Sequence, residues 1–133
     1  MASNAQGSPV KALLVDDTAV DALILSTKLR KFHCETTVAK TGKEALDLFH
    51  EGKKFDIVLC DKDMPIMNGL EAVEKIRAMG EIDVKIVGLS ADYDATEVFM
   101  SAGADAFVPK PMKLDVLSAI IQEVINKKNN TMV

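Results

Sequence analysis

Four short, unbroken apolar runs constrain the fold more than any other feature of this chain: Ala12 to Val15, Ile57 to Cys60, Ile86 to Leu89 and Ala106 to Val108. A strand with one face in water alternates apolar and polar residues. An unbroken run of this length suits a strand buried on both faces, as in a parallel sheet covered by helices. Glu35 to Ala39 reads as a weaker fifth strand. Between the runs the apolar spacing changes to that of a helix: Leu25, Leu29 and Phe32; Leu46 and Phe49; Leu70, Val73 and Ile76. The last stretch is the clearest, with Leu117, Ile120, Ile121, Val124 and Ile125 on one stripe and Gln122, Glu123 and Asn126 left to water. Gly42 precedes the second helix, Pro65 and Gly69 flank a turn, and Gly52, Gly80 and Gly103 close the second, third and fourth helices. The order is therefore a regular strand–helix alternation. It implies an α/β fold with a parallel sheet, right-handed crossovers and helices on both faces.

At 133 residues the chain fits one domain, expected over residues 10–127, with polar, flexible tails at 1–9 and 128–133. Twenty acidic against sixteen basic residues give a net charge of −4, which argues against the basic face that nucleic acid requires. No apolar run is long enough for a membrane span, and the first ten residues lack the pattern of a signal peptide, so a cytoplasmic location is expected. Cys34 and Cys60 form no metal or redox motif and read as reduced packing residues.

In an open parallel sheet, ligands bind beyond the carboxyl ends of the strands. Asp16 and Asp17 follow the first run, Asp61 the third, Ser90 the fourth, and Lys110 the fifth, with Pro111 behind it. Three carboxylates gathered at one rim repel one another, so keeping them ionised calls for a cation, and an all-oxygen set suits Mg²⁺ or Mn²⁺. Such an ion can polarise phosphoryl oxygens while one carboxylate attacks phosphorus to give an acyl phosphate. Lys110 and Ser90 would bind the remaining phosphoryl oxygens.

These residues lie in four stretches: Leu-Leu-Val-Asp-Asp at 13–17, Cys-Asp-Lys-Asp-Met-Pro-Ile-Met-Asn-Gly at 60–69, Leu-Ser-Ala at 89–91, and Gly-Ala-Asp-Ala-Phe-Val-Pro-Lys-Pro at 103–111. Taken together, in this order, they resemble the receiver domain of two-component response regulators. The resemblance implies a flavodoxin-like, doubly wound sandwich with a five-stranded parallel sheet of order 2-1-3-4-5. It also implies Asp61 as phosphoryl acceptor, Asp17 as direct Mg²⁺ ligand, Asp16 as a ligand through water, and the main-chain carbonyl of Asp63 as a further ligand. Ser90 and Phe107 match the switch hydroxyl and aromatic ring. Lys110 matches the phosphate-contacting lysine, whose bond to Pro111 is typically cis.

Asp63 and Asp92 are acidic additions at the mouth of the site, read either as tuning the attack of water on the acyl phosphate or as solvated loop acids. Phe107 is equally open to a plain packing role, and Asp16 and Asp17 could instead cap the first helix. His33 and His50 lie outside the matching stretches and are expected to face solvent, and the methionines to fill gaps or line a partner surface. As a receiver, the chain would take phosphate from a histidine kinase or histidine phosphotransfer protein. It would then reshape the face made by the fourth helix, fifth strand and fifth helix, acting through protein partners and losing phosphate to water. The Asp-Lys-Asp-Met-Pro stretch is similar to plant type-C response regulators, which are receivers alone, and a plant member could also be nuclear. Bacterial single-domain receivers and a receiver from a hybrid kinase are the other sources considered. The fourth and fifth helices carry no ladder of opposite charges, so a monomer is expected. The alternatives weighed are a haloacid-dehalogenase-like phosphatase using Asp61 and Asp63, and a pseudo-receiver that binds without being phosphorylated.

Overall fold

The computed structural model describes residues 8–64 and 66–131. Its strands are β1 (Lys11–Val15), β2 (Glu35–Ala39), β3 (Ile57–Asp61), β4 (Lys85–Ser90) and β5 (Ala106–Pro109). All pair in parallel, in the order β2-β1-β3-β4-β5. The four expected runs lie within β1, β3, β4 and β5, which add only Lys11, Asp61, Lys85, Ser90 and Pro109 at their ends, and β2 spans the expected Glu35 to Ala39. The intervening helices are α1 (Ala19–Lys31), α2 (Gly42–His50), α3 (Gly69–Ala78), α4 (Thr96–Ala102) and α5 (Leu114–Thr131), with a single 3-10 turn at Tyr93–Ala95.

Alternate residues of the central strands feed two separate cores. Leu13, Val15, Val58, Cys60 and Ile86 point to the side of α2, α3 and α4, where they meet Phe49, Val73, Ile76 and Phe99. Ala12, Leu14, Ile57, Leu59, Val87 and Leu89 point to the side of α1 and α5, against Leu25, Leu29, Leu117, Ile121 and Val124. Burial on both faces holds for β1, β3 and β4, but not for the run at Ala106 to Val108. Every residue of β5 is half-buried, because it is an edge strand with one hydrogen-bonded neighbour.

Local chemistry sets the helix starts. Thr41 Oγ1 accepts from the Glu44 N–H at 3.0 Å while Glu44 Oε1 accepts from the Lys40 N–H at 3.0 Å, so Gly42 is the first residue of α2 rather than a breaker before it. Asn68 caps α3 by accepting from the Glu71 N–H at 3.0 Å. Gly52, Gly80 and Gly103 take positive φ values after α2, α3 and α4, as their spacing suggested.

One boundary differs from expectation. Residues 128–131, read from the sequence as part of a tail, continue α5. The apolar stripe ends at Ile125, but the next turns are held by their lysines. Lys127 Nζ donates to the Asp83 carbonyl at 2.7 Å, and Lys128 Nζ to Asp56 Oδ2 at 2.9 Å and to Ser8 Oγ at 3.1 Å. The rest of the expected tails, 1–7 and 132–133, lies outside the described residues. No described helix is long and apolar enough to cross a membrane.

Candidate functional site

The strand order reverses at β1, whose neighbours β2 and β3 lie on opposite sides, so a crevice opens at the carboxyl ends of β1 and β3. Val15 pairs with Cys60, which sets Asp16 beside Asp61 across that crevice. Among the described residues, the buried polar or charged side chains are Asp16, Asp61 and Ser90, and all three lie at this rim. Burying a charge is strongly unfavourable unless it is paired, so their coincidence marks a built site.

Asp16, Asp17 and Asp61 each offer a carboxylate oxygen within 4.8 Å of the others, Asp17 from an exposed position. An all-carboxylate set fits a hard divalent cation. Asp63 is exposed and its carboxylate is outside this cluster; the role expected for it was through its main-chain carbonyl. Asp16 also accepts from the Thr18 N–H at 2.9 Å just ahead of α1, but Thr18 is the N-cap and no side chain caps the helix, so neither Asp16 nor Asp17 takes the capping role open to them in the sequence.

Lys110 supplies the countercharge. Its Nζ lies 3.0 Å from Asp61 Oδ1, 3.0 Å from Asp21 Oδ2 and 3.3 Å from Asp16 Oδ2, and its bond to Pro111 is cis, as the resemblance implied. Burial works to lower the ammonium's pKa, but Asp61, Asp21 and Asp16 outweigh it and hold the pKa above its ordinary value. Burial raises the Asp61 carboxyl; the hydrogen bond and charge of Lys110 only partly offset this, and Asp16 and Asp63 push further upward. Burial also pushes the Cys34 thiol up to about 11 and Cys60 up to about 12, so both cysteines remain protonated packing residues.

On the opposite lip, Ser90 Oγ accepts from the Asp92 N–H at 3.0 Å. Asp92 caps the 3-10 turn through the Asp94 N–H at 2.9 Å and meets Lys62 Nζ at 3.4 Å, contacts that lower its pKa. Phe107 is half-buried and stacked on Phe99, with ring centroids 5.9 Å apart. Phe99 lies over Gly88, which pairs with Phe107 across β4 and β5. His33 and His50 are exposed and lie away from the site residues, as expected.

Asp21 and Lys62 escaped the sequence reading. Asp21 lies four residues, about one helical turn, past Asp17, and that spacing could have flagged it. No local signal could have linked Lys62 to Asp92, thirty positions away.

Comparison with known proteins agrees with this geometry. The family model described as "Response regulator receiver domain" matches residues 12–122. The chain is 56% identical to the two-component response regulator ORR42 of Oryza sativa subsp. japonica, over 98% of each chain. It is 37% identical to the two-component response regulator 24 of Arabidopsis thaliana, over 91% of this chain and 88% of that one. Among solved structures, the co-crystal of the Saccharomyces cerevisiae histidine phosphotransfer signaling protein Ypd1 with the receiver domain of its downstream response regulator Ssk1 superposes with a TM-score of 0.82. That match has 26% identity and covers 90% of this chain and 91% of that one.

Proposed function

We propose that this chain carries a phosphoryl group on Asp61, starting from the premise that it belongs to the response regulator receiver domain family. The observation that carries the reading is the convergence of the buried Asp16, Asp61 and Ser90 with Lys110 at the β1–β3 crevice.

An Asp61 oxygen attacks the phosphorus of a phosphohistidine; the P–N bond breaks, the histidine keeps the electron pair, and an acyl phosphate forms on Asp61. Asp16, Asp17 and Asp61, with the main-chain carbonyl of Asp63, would hold Mg²⁺, or Mn²⁺ in its place. Either ion supplies neutralisation of phosphoryl charge. Lys110 donates to a phosphoryl oxygen through an ammonium that its carboxylate neighbours keep protonated. Ser90, whose hydroxyl accepts from the Asp92 N–H in this state, turns to donate to another phosphoryl oxygen. Phe107 follows into the space beside Phe99, shifting the population of the α4–β5–α5 face between two states. Attack of water on phosphorus then releases inorganic phosphate and restores the carboxylate. Asp63 and Asp92 tune that attack from the mouth.

The donor side of the molecule is legible on α1. Val20, Leu23 and Ile24 are 65%, 66% and 48% exposed on one stripe, and Ile66 and Leu114 stand exposed near the same rim. This apolar collar fits a helical histidine phosphotransfer protein bringing its phosphohistidine to Asp61, and the receiver–Ypd1 co-crystal supports that class of partner. The rice relative, aligned over 98% of its own length, supports action as a receiver alone; a monomer acting in the cytoplasm or, in a plant, also the nucleus is part of the same proposal.

The phosphatase alternative is disfavoured because Asp61 ends the third strand and Asp63 is exposed outside the carboxylate cluster. The test is incubation with Mg²⁺ and acetyl phosphate or beryllofluoride, followed by intact mass or spectral shift. Wild type gains an adduct and Asp61→Asn does not. An unmodified wild type would sink the reading in favour of a pseudo-receiver.

A further inference from the structure

We propose that Asp21 is a positioning residue for Lys110, holding its ammonium toward Asp61 while leaving Asp16 free for the cation; this rests on the acceptor reading above. The Asp21–Lys110 contact is 3.0 Å, as short as that to Asp61 and shorter than the 3.3 Å to Asp16. An ammonium has three N–H donors, and here three carboxylates meet it. Two of those carboxylates belong to the Asp16–Asp17–Asp61 cluster and change their bonding when a cation and a phosphoryl group arrive. Asp21 stands outside that cluster, on the first turn of α1, so the arrival of a cation makes no demand on its carboxylate.

A second contact shows that α1 fixes this loop as a unit. Lys28, seven residues further along the helix, donates from Nζ to the Met112 carbonyl at 2.6 Å. α1 therefore grips the β5–α5 loop on both sides of Pro111, at Lys110 and at Met112. Asp21 also takes part of the ammonium's charge. Without it, Lys110 would shift from Asp61 toward Asp16 and compete with the cation for that carboxylate.

The test compares Asp21→Asn, Asp21→Ala and Asp21→Glu with wild type, each alone and in a Lys110→Ala background. Uptake from acetyl phosphate is followed by intact mass, Mg²⁺ affinity by calorimetry, and folding by urea denaturation. Asp21→Asn and Asp21→Ala should take up phosphate about fivefold more slowly, the worth of one partly exposed ion pair, and bind Mg²⁺ about two- to threefold more weakly. Asp21→Glu, still able to reach from an exposed turn, should recover most of both. In the Lys110→Ala background, Asp21→Asn should leave Mg²⁺ affinity unchanged, because its effect passes through the lysine.

Wild-type uptake and Mg²⁺ affinity in Asp21→Asn, or an equal loss of Mg²⁺ affinity with and without Lys110, overturns the inference. So does a fall in urea midpoint with unaltered uptake. A wild-type chain that takes up no phosphate overturns the acceptor reading and this inference together, whereas normal wild-type uptake with an undisturbed Asp21→Asn overturns this inference alone.

Discussion

Gly69 shows how closely the proposed acceptor, Asp61, is held. Gly69 opens α3, and its N–H donates to the Lys62 carbonyl at 2.8 Å. A Cβ built there would lie 2.0 Å from the Asp61 carbonyl oxygen. Gly69→Ala therefore forces main chain apart beside the acceptor; it should cost about 3 kcal/mol in urea unfolding and slow uptake from acetyl phosphate. Asp61 itself works against the fold when no cation is bound. Because its pKa is raised above the ordinary 3.8, the folded chain binds a proton more tightly than the unfolded one, and stability falls as pH rises through that window. In metal-free buffer Asp61→Asn should have a higher urea midpoint than wild type at pH 7, with the advantage shrinking as pH falls below the window. An equal midpoint at both ends would contradict the burial argument.

At the scale of elements, α4 and α3 are seated by one close approach and one hub. Phe99 of α4 lies over Gly88 of β4 so tightly that a Cβ at 88 would come within 2.4 Å of the ring. Gly88→Ala should lift α4, cost about 1–3 kcal/mol, and shift the Phe107 side-chain signals in nuclear magnetic resonance. Arg77 of α3 donates to the carbonyls of Gly103, Glu81 and Val84 at 2.8, 2.8 and 2.9 Å, and pairs with Asp105 at 2.9 Å. One guanidinium thus ties α3 to the loop before β4 and the loop before β5. Arg77→Ala should cost about 3 kcal/mol in thermal or urea unfolding. Arg77→Lys should recover little, since a single ammonium cannot span four acceptors arranged around a planar fork.

Across the whole molecule, the sheet separates two tasks. Its carboxyl edge gathers the buried acids and Ser90, while the exposed stripe of α1 stands beside that edge, the surface proposed for a phosphate donor. Leu23 is 66% exposed, so Leu23→Glu should leave the urea midpoint within about 0.5 kcal/mol of wild type. Uptake from acetyl phosphate should be unchanged, and transfer from a histidine phosphotransfer protein should slow by about tenfold or more. Slowing with both donors would place Leu23 in the acceptor machinery instead.

Much of this was written locally in the chain. Unbroken apolar runs determined β1, β3 and β4, because a strand covered on both faces has no polar position to show. The stripe from Leu117 to Ile125 determined α5, and the acids and lysine after the runs determined the rim. The tertiary structure decided what depends on neighbours. β5 is half-buried because it is an edge strand, α5 continues through residues 128–131 because Lys127 and Lys128 find partners at Asp83 and Asp56, and Lys110 acquires a third carboxylate in Asp21. The physical reason is the same in each case: hydrophobic period is a property of consecutive residues, whereas pairing of charges and closure of a sheet edge join positions tens of residues apart that only the folded chain brings within hydrogen-bond reach.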